Sequence, residues 1–363
     1  MMETPVFAQK LGPGKWIGTE YVIDKCPVCC GDKTLKFTGM GMWGCTKCHK
    51  GGKNIQSFVA WLSDKPMMAS IIESMKEPER PEELIDLATY HSPYHGKVIA
   101  TGFHLVDRML GGLTEGAMTV ITGKRGEGKS TWLGQLALNA VNKNHVVCFY
   151  SGELSAGRFQ NWLFSQAAGV GNMHTELDPF GAERWLVNET AEQKMREWLK
   201  GKFDLYDNTR IKAGERKTIL RAFNRSRFYS GSTLFFVDNL MTARFDIDNE
   251  QDALRAQANF AVDMLDFART NNVHVVLVAH PKKGEAEDIN ESVAGLSDIT
   301  NMATNVIQIK KGKDSDNYDA LVTIAKNREY GEIGSFEFTY NRNCRRFIPL
   351  AGSYVNFYGW ENL

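Results

Sequence analysis

The run GKRGEGKS, Gly123 to Ser130, has the residue types and spacing that hold a polyphosphate. Gly123, Gly126 and Gly128 let the backbone wrap an anion, so that successive N–H groups and the start of a following helix point at its oxygens. Lys129 is placed to reach the β- and γ-phosphates, Ser130 to complete a magnesium shell, and Thr131 to extend the same cradle. ATP or another nucleoside triphosphate, with Mg2+, is the ligand this spelling predicts. Further along, the apolar residues Leu234 to Val237 end in Asp238, an acid at the carboxyl edge of a strand, where it would hold the magnesium through its waters. Glu153, just past the strand HVVCFYS, is suited to orient and deprotonate an attacking water. His280 closes the strand HVVLVAH and could touch the γ-phosphate and report its loss. Lys326 and Arg328 stand at alternate positions of an extended segment and share a face. They read either as a pair stabilising phosphoryl charge or as a solvated basic edge.

A second constellation lies near the N-terminus. Cys26 and Cys29 form one C-x-x-C pair and Cys45 and Cys48 another, a spacing that suits tetrahedral thiolate Zn2+. Cys30 and His49 are adjacent spares, and a swap of His49 for Cys48 stays open. Phe37, Met40, Met42 and Trp43 lie between the knuckles and read first as a mini-core around the metal, second as a base-stacking surface.

These residues need elements to position them. The strand TVITG runs into the phosphate loop and the helix STWLGQLALNAVNK leaves it. Apolar strands then alternate with helices, which predicts an α/β fold with a mostly parallel sheet covered on both faces. NVIQIKKG, ALVTIAKNR and SFEFTYNR follow with short turns, an antiparallel extension at the C-terminal end. Three parts are expected: a small zinc ribbon over residues 1–62, a linker over 63–97, and an ATPase domain over 98–363. Within the linker, MASIIESMK reads as a short helical piece. Pro81-Glu82-Glu83 opens a second short helix, ELIDLATY, which packs either on its own subunit or on a neighbour.

Composition bounds the function. Lys plus Arg and Asp plus Glu are 43 each, so the formal net charge is zero, unlike a protein that coats duplex DNA with a broad basic face. Residues 24–53 nevertheless carry Lys25, Lys33, Lys36, Lys47, Lys50 and Lys53 against Asp24 and Asp32, so any DNA contact should be local. Five of the seven cysteines are packed between Cys26 and Cys48, which favours a metal site in a reducing compartment over a disulfide framework. Neither a signal core nor a membrane span is read, and a bacterial or phage-infected cytoplasm is expected.

Taken together, the segment TGFHLVDRMLGGLTEGAMTVITG and its phosphate loop, SGELS, FFVDNL, HVVLVAHPKK and AKNREYG resemble the DnaB-like hexameric replicative helicases, specifically the Twinkle and bacteriophage primase–helicase branch. The resemblance implies a RecA-like core, with Glu153 as catalytic base and His280 as γ-phosphate sensor. It implies that Lys326 and Arg328 are donated across a subunit interface. Residues 282–300, with Lys282 and Lys283 at their start, are similar to the channel loop that grips single-stranded DNA, and 83–90 to the linker helix that latches onto a neighbour. Thr300-Asn301 departs from the Arg-Gln or Glu-Gln pair of the family, which puts its coupling role in question. The N-terminal module resembles the zinc ribbons of bacterial-type primases. Only about 50 residues separate it from the ATPase core, too short for a polymerase domain with its own packed core, so no primer synthesis is expected. The Asp-x-Asp strings at Asp246/Asp248 and Asp314/Asp316 are not read as polymerase metal ligands. The implied function is ATP-driven, 5′-to-3′ translocation of a hexamer on single-stranded or forked DNA, with a separate primase or polymerase as a possible partner. The rivals are a RadA-like repair ATPase and a DNA-binding loader that uses ATP as a switch.

Overall fold

The computed structural model describes residues 8, 11–65, 84–91, 97–209, 214–243, 250–280, 297–354 and 357–363. The chain divides into two units, Met1–His91 and Ser92–Leu363.

In the first unit, β1 (Gly14–Ile17), β2 (Glu20–Lys25), β3 (Asp32–Thr38), β4 (Trp43–Cys45) and β5 (Lys50–Gly52) form an antiparallel meander in chain order, followed by α1 (Ile55–Ser63). Asn54 caps α1, its side chain accepting from Ser57 N. Phe37, Trp43, Phe58 and Leu62 fill the space between sheet and helix, and Trp43 stacks on Trp61 at 4.8 Å. Of the four residues between the knuckles, Phe37 and Trp43 are therefore core, whereas Met40 and Met42 face solvent.

Within Leu84–His91 the structure corrects the expected helix. Residues 87–89 form a turn without a helix, the Asp86 carboxylate accepting from Ala88 N at 3.1 Å. An aspartate that bonds its own downstream backbone competes with helix formation, and a segment this short lacks the length to propagate one. The stretch MASIIESMK lies outside the described residues.

The second unit opens with β6 (Val98–Ile99), α2 (His104–Leu110) and β7 (Leu113–Thr114). Its sheet is built from β8 (Ala117–Thr122), β9 (Val147–Ser151), β12 (Phe203–Leu205), β13 (Leu234–Asp238), β14 (His274–Val278), β15 (Asn305–Lys311), β16 (Ala320–Asn327), β17 (Gly334–Asn341) and β18 (Arg346–Pro349). The order is β12-β9-β13-β14-β8-β15-β16-β17-β18, parallel from β12 to β15 and antiparallel beyond. NVIQIKKG, expected in the antiparallel extension, thus pairs parallel to β8 on one side and antiparallel to β16 on the other. Every residue of β8, β9, β13 and β14 is buried, as strands covered on both faces require. Alternate side chains serve two cores. Ile121, Phe149 and Phe236 pack with α3 (Lys129–Asn142), α4 (Ala156–Ala168) and α5 (Glu189–Leu199). Val120, Tyr150 and Phe235 pack with α6 (Arg216–Ser230) and α7 (Glu250–Asn271). A hairpin of β10 (Met173–Leu177) and β11 (Glu183–Val187) precedes α5. A last short helix, α8 (Ser297–Met302), leads into β15.

At the amino edge of the sheet, His274 is wholly buried and bridges three strands. Its Nδ1 donates to Thr114 O at 2.7 Å, and its Nε2 accepts from Thr119 Oγ1 at 2.9 Å, which in turn accepts from Asn305 Nδ2 at 3.2 Å. Burial favours the neutral ring and holds its pKa down to about 4. The sign follows: the folded state resists a proton that the unfolded chain takes up near pH 6.5. Stability is therefore full above that pH and falls by roughly 3 kcal/mol as pH drops through about 4. Denaturant melts at pH 7 and pH 4.5 should show this loss in the wild type and little of it in His274→Gln; equal acid sensitivity in both would contradict it.

Candidate functional site

The parallel strands β9, β13, β14 and β8 are neighbours, so their carboxyl ends bring four sequence-distant groups to one edge. The phosphate loop follows β8, Asp238 ends β13, Glu153 lies two residues past β9 and His280 two past β14. The loop conformation depends on glycine at two points. Gly123 has φ +145°, and a Cβ there would sit 2.3 Å from Ile309 O. Gly128, at φ +88°, caps α3, and its Cβ would meet the Phe347 ring at 2.7 Å. Gly123→Ala should therefore lower nucleotide affinity at least tenfold, readable by titration with a fluorescent nucleotide; wild-type affinity would remove the steric argument.

Lys129 is buried and its Nζ folds back onto Gly123 O at 2.7 Å and Lys124 O at 2.6 Å. Burial lowers its pKa, opposed by the nearby charges of Glu127, Asp238 and Glu153. Glu127 braces the loop by accepting from Lys124 N. Asp238 is 3% exposed, and burial pushes its carboxyl up to about 6, against a hydrogen bond from Ser130. A buried carboxylate beside a hydroxyl, with one further acid nearby, fits a hard divalent cation such as Mg2+. His280 is held low, by burial first and by Lys129 second, which keeps its ring neutral. A cavity of 710 Å³ lined by Gly126, Gly128, Thr131, Tyr318, Tyr340 and Phe347 opens beside the loop, within the size range of small-molecule sites. Asn239, which the sequence reading passed over, is buried among these groups and donates from Nδ2 to both Glu153 Oε1 and His280 Nε2.

Lys326 and Arg328 are not brought to this site. The register places Lys326 opposite Val306, which pairs with Val120 midway along β8, and Arg328 N bonds Thr304 O, beyond the amino end of β15. At about 3.3 Å per residue and 4.8 Å per strand, the Arg328 backbone lies some 15–20 Å from the chain's own loop. Both cations instead bond the end of α8: Lys326 Nζ donates to Thr300 O at 2.7 Å and Asn301 O at 3.0 Å, and Arg328 donates to Asn301 O. The Thr300-Asn301 pair thus contacts the cations through its backbone carbonyls. Lys282 and Lys283 lie outside the described residues, as do Asp246 and Asp248. Asp316 braces its own loop by accepting from Lys313 N at 2.8 Å.

In the first unit the Sγ atoms of Cys26, Cys29, Cys45 and Cys48 all lie within 4.8 Å of one another, with Cys29–Cys45 and Cys26–Cys45 at 3.7 Å and Cys26–Cys48 at 3.9 Å. A tetrahedron with Zn–S bonds of about 2.3 Å has edges of about 3.8 Å, so the donor set fits zinc. Cys30 and His49 lie outside this cluster; each directly follows a knuckle and turns the chain at φ +50° and +54°.

Comparison with known proteins places this geometry. Residues 98–349 match the family described as the DnaB-like helicase C terminal domain. The chain is similar to a protein solved as an ATPase domain, with a TM-score of 0.56 and 16% identity over 71% of this chain and 93% of that one. It is similar to a DnaB-like replicative helicase solved in a study of its interactions with primase, with a TM-score of 0.58 and 16% identity over 82% and 74% of the two chains. A KaiC-like protein from Pyrococcus horikoshii OT3 matches with a TM-score of 0.51 and 16% identity over 70% and 99%.

Proposed function

The chain belongs to the DnaB-like helicase family, and from that premise we propose a ring-forming motor of the phage primase–helicase branch that moves 5′-to-3′ on single-stranded DNA. Family membership makes it an ATP-hydrolysing DNA helicase with a RecA-like core, of the kind that works as a hexamer. Among the described residues no helix is long and apolar enough to cross a membrane.

One observation supports the ring mechanism above others: Lys326 and Arg328 point away from their own phosphate loop. Beyond Lys129 and the magnesium, a phosphoryl-transfer site gains from a further cation on the transferred group, and one held at the far end of β16 is free to serve a neighbour's loop rather than its own. In this reading Lys129, Ser130 and Asp238 hold ATP and Mg2+, Glu153 activates water, His280 senses the γ-phosphate, and the neighbour's Arg328 and Lys326 stabilise the developing charge. When the cations move to the neighbour's nucleotide, the carbonyls of Thr300 and Asn301 are released. That couples hydrolysis to α8 and to the segment with Lys282 and Lys283, which would grip DNA. Leu84, Ile85, Leu87 and Tyr90 are exposed and would latch onto an adjacent subunit, folding on contact. No primer synthesis is proposed; template-directed oligoribonucleotide products would overturn that.

Residues 1–62 are read as a zinc ribbon that touches DNA or a primase. A core this small leaves little margin of stability, and binding of structural zinc contributes about 10–16 kcal/mol. Metal analysis should find one zinc per chain. Cys45→Ser should abolish the near-ultraviolet dichroism of the stacked Trp43 and Trp61; a metal-free chain with that signal intact would contradict the reading.

The function is tested by unwinding forks that carry either a 5′ or a 3′ single-stranded tail. The wild type should open only the 5′-tailed fork, with ATP, and Lys129→Ala neither. Opening of the 3′-tailed fork would overturn the polarity, and ATPase with no fork opening would favour a loader.

A further inference from the structure

We propose that Asn239 is the positioning residue that ties the carboxylate of Glu153 to the ring of His280, so that base and sensor respond to the nucleotide as one unit. The proposal rests on the roles given above to Glu153 and His280. Strand β13 lies between β9 and β14, so the residue after Asp238 emerges midway between the two groups. Asn239 is 2% exposed, and its Oδ1 accepts from Met241 N at 2.9 Å, capping the turn Leu240–Thr242. With the oxygen thus engaged, the amide orientation is fixed and both Nδ2 hydrogens are committed. One goes to Glu153 Oε1 at 2.5 Å and the other to His280 Nε2 at 3.1 Å.

The surrounding backbone reinforces the arrangement. Gly152 N donates to Asp238 O at 2.7 Å, which holds the turn carrying Glu153 against β13. A Cβ on Gly152 would lie 1.8 Å from Thr242 Oγ1, and that hydroxyl is itself bonded to Asn239 O at 2.7 Å. The chemistry has two consequences. The donated hydrogen bond orients the Glu153 carboxylate and fixes which of its oxygens remains for water. A donor at His280 Nε2 requires a neutral ring with its proton on the buried Nδ1, and the ring also bonds the Gly123 backbone of the phosphate loop. The ring is thereby tied to the phosphate loop on one side and to Asn239 on the other. A shift of the ring on γ-phosphate loss then pulls one end of the amide whose other end holds the base.

The alternative is that Asn239 is only a cap. Asn239→Ser and Asn239→Asp both keep a capping oxygen, while serine loses the two-pronged donor and aspartate replaces it with a carboxylate facing Glu153. On the full-length chain, each should lower kcat for ATP at least tenfold, more for aspartate, with KM for ATP within threefold of wild type. Combining Asn239→Ser with Glu153→Gln should cost no more than Glu153→Gln alone. A kcat within twofold of wild type in the serine variant, a KM rise in step with the kcat loss, or additive losses in the double variant would each overturn the proposal. If the aspartate variant does not fold, the serine variant decides. Full turnover in Glu153→Gln would instead remove the underlying role of Glu153, an outcome separate from the behaviour of Asn239.

Discussion

Arg328→Ala is expected to lower DNA-stimulated ATP turnover about a thousandfold or more, the scale of an arginine finger, while leaving ATP binding nearly unchanged. The two halves of that expectation have different physical origins. Binding depends on the loop Gly123–Ser130 and on Asp238, all in the same chain and at the opposite edge of the sheet from Arg328. Turnover depends on charge that develops in the transition state, and only a group touching the transferred phosphoryl lowers that barrier. A thousandfold loss corresponds to about 4 kcal/mol. Steady-state ATPase together with nucleotide titration separates the effects. If affinity and turnover fell together, Arg328 would be a structural residue of its own subunit, holding α8 through Asn301 O.

Glu153→Gln should reduce turnover by about 10²–10⁴-fold, the range for removal of a general base, with tight ATP binding retained. The amide keeps the size of the side chain but cannot take a proton from water. It also loses the carboxylate that Asn239 now holds, so its amide must reorient to offer oxygen to Nδ2. Single-turnover hydrolysis is the measurement that isolates this step, because product release no longer contributes. Turnover within threefold of wild type would remove Glu153 from the reaction and leave Asp238, the other acid at this edge, as the group to examine.

The phosphate loop, Asp238 and the four cysteines were legible because each couples a residue type to a spacing that ordinary packing does not need. The alternation of buried strands with helices was legible for the same reason: β8, β13 and β14 are buried throughout, as only doubly covered strands are. Lys326 and Arg328 were a different case. Their spacing alone fitted a solvated basic edge equally well, and only the sheet order and register show which side of the molecule they occupy. Asn239 carried no signal beyond following an acid; its importance lies in the crossing of three strands, which local sequence does not encode. Two local structures also departed from pattern. The segment at Asp86 has the apolar spacing of a helix, yet its aspartate bonds Ala88 N and its Leu84, Ile85 and Leu87 are exposed. Before α5 the chain turns from Asp178 to Gly181, with Asp178 accepting from Phe180 and Ala182, and closes a hairpin that no residue type at a telling spacing announced.

The central claim is an ATPase site shared between adjacent subunits of a ring, and mixing two inactive variants tests it most directly. Lys129→Ala subunits keep Arg328 but cannot use their own loop, and Arg328→Ala subunits keep the loop but offer no cation. Each alone should be nearly silent. Mixed in equal amounts and allowed to reassemble on single-stranded DNA, they should recover up to about a quarter of wild-type ATPase, the share of interfaces pairing an intact loop with an intact Arg328 in a cyclic assembly. No recovery at any mixing ratio would contradict the shared site.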